Sequence, residues 1–217
     1  MNILVIHSHN ANRGDEAAVK AMVDELLIKY PGAKITISNN GFTPYPGMPE
    51  NVIQIDRFPK LESRIAQLEF FIVLLFKGKF ALTKEARKFI RALKEADVVL
   101  HAPGGPSIGD TYFKAEKLYL WRLNLIRRMG IPYIFYAPSM GPFNCASRNK
   151  LRKEVISGAE RIILRDPISV KYVKDFLPGV EVEQALDSAL QHDIDIDKNE
   201  RKYNNYPELK NFIENHE

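Results

Sequence analysis

Five short loops, each marked by glycine or aspartate, follow apolar runs of strand length, and helical patterns separate those runs. The loops are Asn12-Arg13-Gly14-Asp15-Glu16, residues 103–110, residues 138–143, Arg165-Asp166-Pro167-Ile168-Ser169 and Leu186-Asp187-Ser188-Ala189. Strand alternating with helix predicts an α/β chain with a doubly wound, mostly parallel sheet and right-handed crossovers. In such a sheet all strands present their carboxyl ends on one edge, and ligands bind in the crevice outside it. The pattern therefore predicts a Rossmann-like ligand-binding domain in which five loops converge on one pocket.

Strands are expected at 3–7, 34–38, 52–55, 97–102, 132–137, 161–164 and 180–184, the run at 97–102 being apolar enough for a strand buried on both faces. Helices are expected at 14–30, 60–77, 83–95, 114–129, 147–158 and from Pro167 to about 177. Pro31-Gly32, Gly130 and Pro178-Gly179 supply helix stops, and Asp166 followed by Pro167 supplies a start. The 217 residues suit one domain, assigned to 1–192, followed by a polar tail or linker at 193–217 with a short helix at 207–215. The amino terminus runs directly into a strand pattern without a basic leader, which predicts a cytoplasmic protein. A net charge of +4 is too small to imply nucleic-acid binding.

Each loop carries chemistry that a ligand could use. Asn12 and Gly14 precede a helix, whose free N–H groups and partial positive charge suit an anion. Asp15 either caps that helix or points into the crevice to orient a hydroxyl. The loop lacks the G-x-G-x-x-G and G-K-[ST] patterns of dinucleotide and triphosphate sites. Gly104, Gly105, Ser107 and Gly109 form the richest loop, read as a nest of backbone donors or as a tight turn. Asp110 ends that loop, and His101 ends the strand before it. Ser139 and Gly141 follow the next strand, in no nucleophile-elbow context. Arg165 is either paired with Asp166 or Asp187, or aimed at an anionic ligand that its planar fork would suit. His7 and His9 have no companions at metal-ligand spacing, and no metal site is expected.

Charge is unevenly spread. Residues 57–94 hold ten Lys/Arg against three Glu, and residues 193–217 hold seven acids against four bases. The basic stretch surrounds Phe70-Phe71-Ile72-Val73-Leu74-Leu75-Phe76, far shorter than the ~20 apolar residues that span a bilayer. It reads either as a core helix or as a basic, apolar-faced helix resting on an anionic membrane surface.

The ordered set N-x-G-D-E, A-D-V-V-L-H-A-P-G-G-P-S-I-G-D, S-M-G-P-F, I-I-L-R-D-P-I-S and L-D-S-A resembles the polysaccharide pyruvyl transferase family over roughly residues 1–190. The resemblance implies one half of a GT-B-like fold, in which two Rossmann-like domains face each other across a cleft. It implies transfer of pyruvyl from phosphoenolpyruvate, as donor substrate and without a cofactor, to a sugar of a cell-surface polysaccharide or a lipid-linked glycan. Family members are commonly longer, so the expected partner is a missing carboxyl-terminal domain or a second copy of the chain. In this reading Arg165 holds the donor with the Gly104 and Gly105 N–H groups. Asp15 and Asp110 contact acceptor hydroxyls or act as base, and His101 moves a proton. The chain also fits a GT-B-like glycosyltransferase using a nucleotide sugar, or a non-catalytic glycan- or partner-binding domain.

Overall fold

The computed structural model describes residues 1–40, 43–59, 64–191, 206–208, 211 and 215. Seven strands form one sheet in the order β3-β2-β1-β4-β6-β8-β9. They are β1 (Asn2–Ser8), β2 (Lys34–Asn39), β3 (Val52–Asp56), β4 (Val98–His101), β6 (Tyr133–Tyr136), β8 (Arg161–Leu164) and β9 (Glu183–Gln184). Every pairing between neighbours is parallel. The chain winds outward from β1 through β2 to β3, returns to β4 on the other side of β1, and continues outward to β9. This is the doubly wound Rossmann-like arrangement that the strand–helix alternation predicts.

The crossovers put one helix on one face of the sheet and the rest on the other. Helix α1 (Arg13–Lys29) packs Val19, Met22 and Val23 against Ile3, Val5, Ile35, Ile37 and Leu100. The opposite face receives α3 (Lys84–Glu95), α4 (Phe113–Met129), α5 (Asn149–Ser157) and α6 (Pro167–Phe176), with Phe89, Leu93, Leu123, Ile126, Val155 and Val173 packed on Leu4, Ile6, Val99 and Phe135. Successive residues of β1 thus serve alternate cores, as a strand covered on both faces requires. An additional helix, α2 (Arg64–Leu75), lies between β3 and α3 in sequence and stacks Phe70 on Trp121 of α4 at 5.6 Å.

Local signals account for the helix ends. Asn12 accepts a hydrogen bond from Gly14 N–H and caps α1, so that helix begins at Arg13. Asp15 is therefore not the cap. Asp166 caps α6 through Ser169 N–H with Pro167 at the first helical position, and Gly130 closes α4 in the left-handed region at φ 74°. The helix expected at 147–158 begins instead as a 3₁₀ turn, Ala146–Arg148, before α5. The strand expected at 180–184 shortens to the exposed edge pair Glu183–Gln184. The start of the helix expected at 60–77 lies outside the described residues, as does most of the tail at 193–217 with its expected helix at 207–215, although 207, 208 and 211 are helical.

The main departure lies in the glycine loop. Residues 104–108 form a strand, β5 (Gly104–Ile108), which pairs in parallel with β7 (Pro138–Met140) as a separate two-stranded sheet. Glycine and proline conceal strand content from propensity. Gly109, at φ 139°, is required here because a Cβ would lie 2.5 Å from the Gly141 carbonyl oxygen.

A buried ion network fixes this second layer. Glu116 and Arg152, both with fully buried side chains, form a two-pronged pair at 2.7 and 2.9 Å. Arg152 also donates to Asp110 at 2.8 Å, Arg148 donates to Glu116 at 3.0 Å, and Gly109 N–H donates to Glu116 at 2.8 Å. Asp110 accepts further bonds from Asn144 and Cys145 N–H. A buried pair of this kind tolerates loss of one partner poorly, because the other is left as an uncompensated charge. Glu116→Ala is expected to cost about 3–5 kcal/mol in urea-unfolding free energy and to raise protease sensitivity in the 141–148 loop. Unchanged stability would show that the network is incidental.

Candidate functional site

Reversal of the winding direction between β1 and β4 leaves a gap above their carboxyl ends. A cavity of about 230 Å³ sits there, lined by the ends of β1 and β4, the first turn of α1, β5 and α4. It brings together six of the residues expected from sequence: Asn12, Asp15, His101, Gly104, Gly105 and Ser107. His7, His9, Tyr112 and Tyr119 complete much of the wall.

The histidines are held by backbone irregularity and aromatic packing. At His7 the end of β1 leaves regular register, between Val5 and Ser8, and takes φ 61°, a conformation that non-glycine residues adopt rarely. The His7 ring meets His101 edge-on at 4.6 Å and Tyr119 at 4.5 Å. Both His7 ring nitrogens are buried and have no hydrogen-bond partner among the described residues. His9 Nε2 lies 2.7 Å from the Tyr119 hydroxyl.

His101 has a defined polarity. Its Nδ1 lies 2.9 Å from the Ala102 carbonyl oxygen, which can only accept, so the proton sits on Nδ1. Nε2 is then an acceptor, and Ser107 donates its hydroxyl proton to it at 2.7 Å. Burial pushes His101 down to about 4 and His7 well below its ordinary value. Burial also lowers His9, more than the Asp15 carboxylate raises it. The cavity is thus walled by neutral imidazoles.

Asp15 lies in the first turn of α1 and faces this wall. Gly104, at φ 142°, makes that approach feasible, because a Cβ there would stand 3.0 Å from Asp15 Oδ1. The Asp15 role as an N-cap passes to Asn12, and its alternative placement, in the crevice, is the one observed. Behind the wall lies Arg122 of α4, buried to 1% exposure. It donates to the Phe58 carbonyl and to Asn40 Oδ1, pairs with no carboxylate among the described residues, and leaves Nη2 without a partner. Burial lowers its ordinary value but leaves the guanidinium the buried cation closest to Tyr119 in sequence, one helical turn away.

The remaining expected residues form other arrangements. Arg165 donates to Asp187 at 2.5 Å and to Ser139 Oγ at 3.0 Å, and Ser139 donates to Asp166 at 2.9 Å. Arg165 is therefore paired with Asp187, one of the two readings its position allowed. Gly141 sits in the tight approach to Tyr172, and Asp110 belongs to the Arg152 network. Gly14 spends its N–H on the Asn12 cap. The five loops thus serve a cavity at β1/β4 and a polar cluster at β7/β8 rather than one pocket. Tyr119 and Arg122 were not visible as site residues. Arg122 did carry a signal, a cation on the same helical stripe as Tyr119, Leu123 and Ile126 where an apolar residue belongs. Among the described residues no group of three His, Cys, Asp or Glu side chains is arranged to hold a metal ion.

The chain matches the family model described as polysaccharide pyruvyl transferase over residues 12–216, nearly its whole length, and belongs to that family. No curated protein matches it.

The neutral histidines make stability depend on pH. The unfolded chain binds a proton at His101 near pH 6.5 and the folded chain only near pH 4, so the unfolded state gains protons first as pH falls. Stability is complete above about pH 6.5 and is lost progressively towards pH 4, by about 3 kcal/mol from this residue, with His7 and His9 acting in the same direction. Urea midpoints measured between pH 7 and pH 4.5 check this: His101→Gln is expected to flatten the profile, and an unchanged profile would contradict it.

Proposed function

We propose that the chain transfers a pyruvyl group from phosphoenolpyruvate to a sugar of a cell-surface polysaccharide or glycan precursor, using the cavity between β1 and β4. The observation that carries this reading is the meeting of Asp15, the Ser107–His101 pair and the tyrosine hydroxyls in one cavity at the switch point of a chain from this family. The cavity is sized for a small polar group rather than a dinucleotide, and it offers one carboxylate against several hydrogen-bond donors.

In this reading Asp15 is the base. A sugar hydroxyl oxygen bonds to C2 of the enolpyruvyl group as its proton passes to Asp15. A proton reaches the C3 methylene, which becomes the methyl group. A second hydroxyl of the same sugar closes the ketal at C2 and phosphate leaves, so the two hydroxyl protons end on the methyl group and on phosphate. Tyr112 and the Gly104 and Gly105 backbone line the same cavity and would contact the donor carboxylate, while the Ser107 and Tyr119 hydroxyls stay engaged with His101 and His9. Arg122 supplies positive potential from behind the wall, where low polarity strengthens it. Arg165, engaged by Asp187 and Ser139, orders the neighbouring edge.

Phosphate release from phosphoenolpyruvate in the presence of a panel of acceptor glycans tests the proposal. Asp15→Asn is expected to lower kcat/KM by roughly 10²–10⁴-fold, and Arg165→Ala to leave the KM for phosphoenolpyruvate within a few fold. Competition by a nucleoside diphosphate with no effect of phosphoenolpyruvate would overturn the donor assignment in favour of a nucleotide sugar. Glycan binding without turnover would reduce the chain to a binding module.

A further inference from the structure

Helix α2 breaks the pattern of a surface helix. It turns Glu69, Phe70 and Val73 inward, against α3 and α4. The face it turns to solvent is apolar too: Ile65, Leu68, Phe71 and Leu75 are all more than half exposed, Ile65 at 78%. The turn after it continues the ridge with Phe76 and Phe80, packed edge-on at 5.0 Å, and with Leu82. A helix that turns this much apolar surface to solvent is ordinarily covered by a partner.

The ridge is held in place. Glu69 accepts hydrogen bonds from Leu82 N–H, Thr83 N–H and the Thr83 hydroxyl, at 2.9, 2.7 and 3.0 Å. That clamp ties the 76–83 turn to α2 and to the start of α3. The apolar side chains are therefore presented by an ordered scaffold and not by a frayed segment.

Charge selects the partner. Arg64, Lys77, Lys79, Lys84, Arg87 and Lys88 surround the ridge and are exposed. Beside it a cleft of about 420 Å³ is lined by Lys79, Arg87, Arg91 and Lys94, with Glu95 the one acid. Among the described residues none of Lys79, Arg91 and Lys94 pairs with a carboxylate. A second copy of the chain, docked symmetrically, would place these cations against one another. An anionic surface with an apolar interior matches both features at once. Aliphatic and aromatic side chains enter the headgroup boundary, while lysine and arginine stems reach along it to phosphate. At twelve residues α2 is too short to cross a bilayer, and no helix among the described residues is long and apolar enough to do so.

We propose that α2, the 76–82 turn and the first turns of α3 form a docking surface for an anionic lipid bilayer, with the cleft taking headgroup phosphates. The surface lies outside the cavity at β1 and β4, so the proposal stands or falls separately from the donor assignment.

Co-sedimentation of the full chain with phosphatidylcholine vesicles, and with vesicles half phosphatidylglycerol, tests it. Binding is expected with the anionic vesicles only, and it should weaken roughly tenfold or more at about 0.5 M salt. Phe71→Ser with Leu75→Ser, and separately Lys79→Glu with Arg91→Glu, should each reduce binding by a similar factor while urea midpoints hold. Equal binding to both vesicle types, or wild-type binding by both variants, would overturn the proposal. So would a dimer of the free chain that the Phe71/Leu75 change abolishes, because a second copy would then be what covers the ridge.

Discussion

The constraint on which the rest of the structure depends is the reversal of winding between β1 and β4. Parallel strands need crossovers of one hand, so a chain that first moves outward to β3 and then outward the other way to β9 must place its helices on opposite faces. Nothing can then cross directly above the carboxyl ends of the two central strands. The gap is a consequence of topology, and His7, His9, His101 and Asp15 are where they are because those strand ends and the α1 terminus border it. The sequence of β1 shows the adaptation. Leu4 and Ile6 serve one core and Ile3 and Val5 the other until His7, where the strand gives up regular register and a histidine ring enters the gap.

What could be read before folding follows from which interactions are local. Strands 34–38, 52–55 and 161–164, the Gly130 stop and the Asp166–Pro167 start are decided by alternation and by backbone chemistry within a few residues, and they appear as expected. β5 and β7 were not legible. Gly104, Gly105 and Pro138 have poor strand propensity, and their pairing depends on how far β4 and β6 overshoot the main sheet. Glu116 and Arg152 were equally hidden. Helical periodicity assigns charged residues to solvent, whereas these two are buried because each neutralises the other across two helices. The candidate site divides in the same way. Asp15, His101 and Ser107 sit beside glycines after strands and could be picked out. Tyr119 and Arg122 reach the site from the middle of α4, with no local mark except a cation in an apolar stripe.

The carboxylates near the strand ends illustrate how structure assigns roles that sequence leaves equal. Asp110, Asp166, Asp187 and Asp15 each follow a strand. Hydrogen bonds from Arg152, Asn144 and Cys145 outweigh desolvation at Asp110 and hold it below the usual carboxylate range. At Asp166 the bonds from Ser169 and Ser139 do the same. Asp187 is bound to Arg165. Asp110 and Asp166 are therefore poor proton acceptors, because their charge is already satisfied. Asp15 alone of the four lines the cavity, and no arginine pairs with it among the described residues.

The same reasoning limits what His101 can do. With its ionisation pushed down to about 4 by burial, the imidazole is almost wholly neutral at neutral pH and cannot begin a cycle as a proton donor through Nε2. Its Nδ1–H is committed to the Ala102 carbonyl, so Nε2 acts as an acceptor and turns the Ser107 hydroxyl towards it. An anionic ligand changes that balance. A carboxylate or phosphate entering the cavity favours the charged form of every imidazole around it. Binding of an anion and uptake of a proton are then linked, and the proton so acquired lies beside the ligand that drew it in. In the proposed reading, that linkage would let an imidazole of this wall carry a proton only while an anionic substrate is bound.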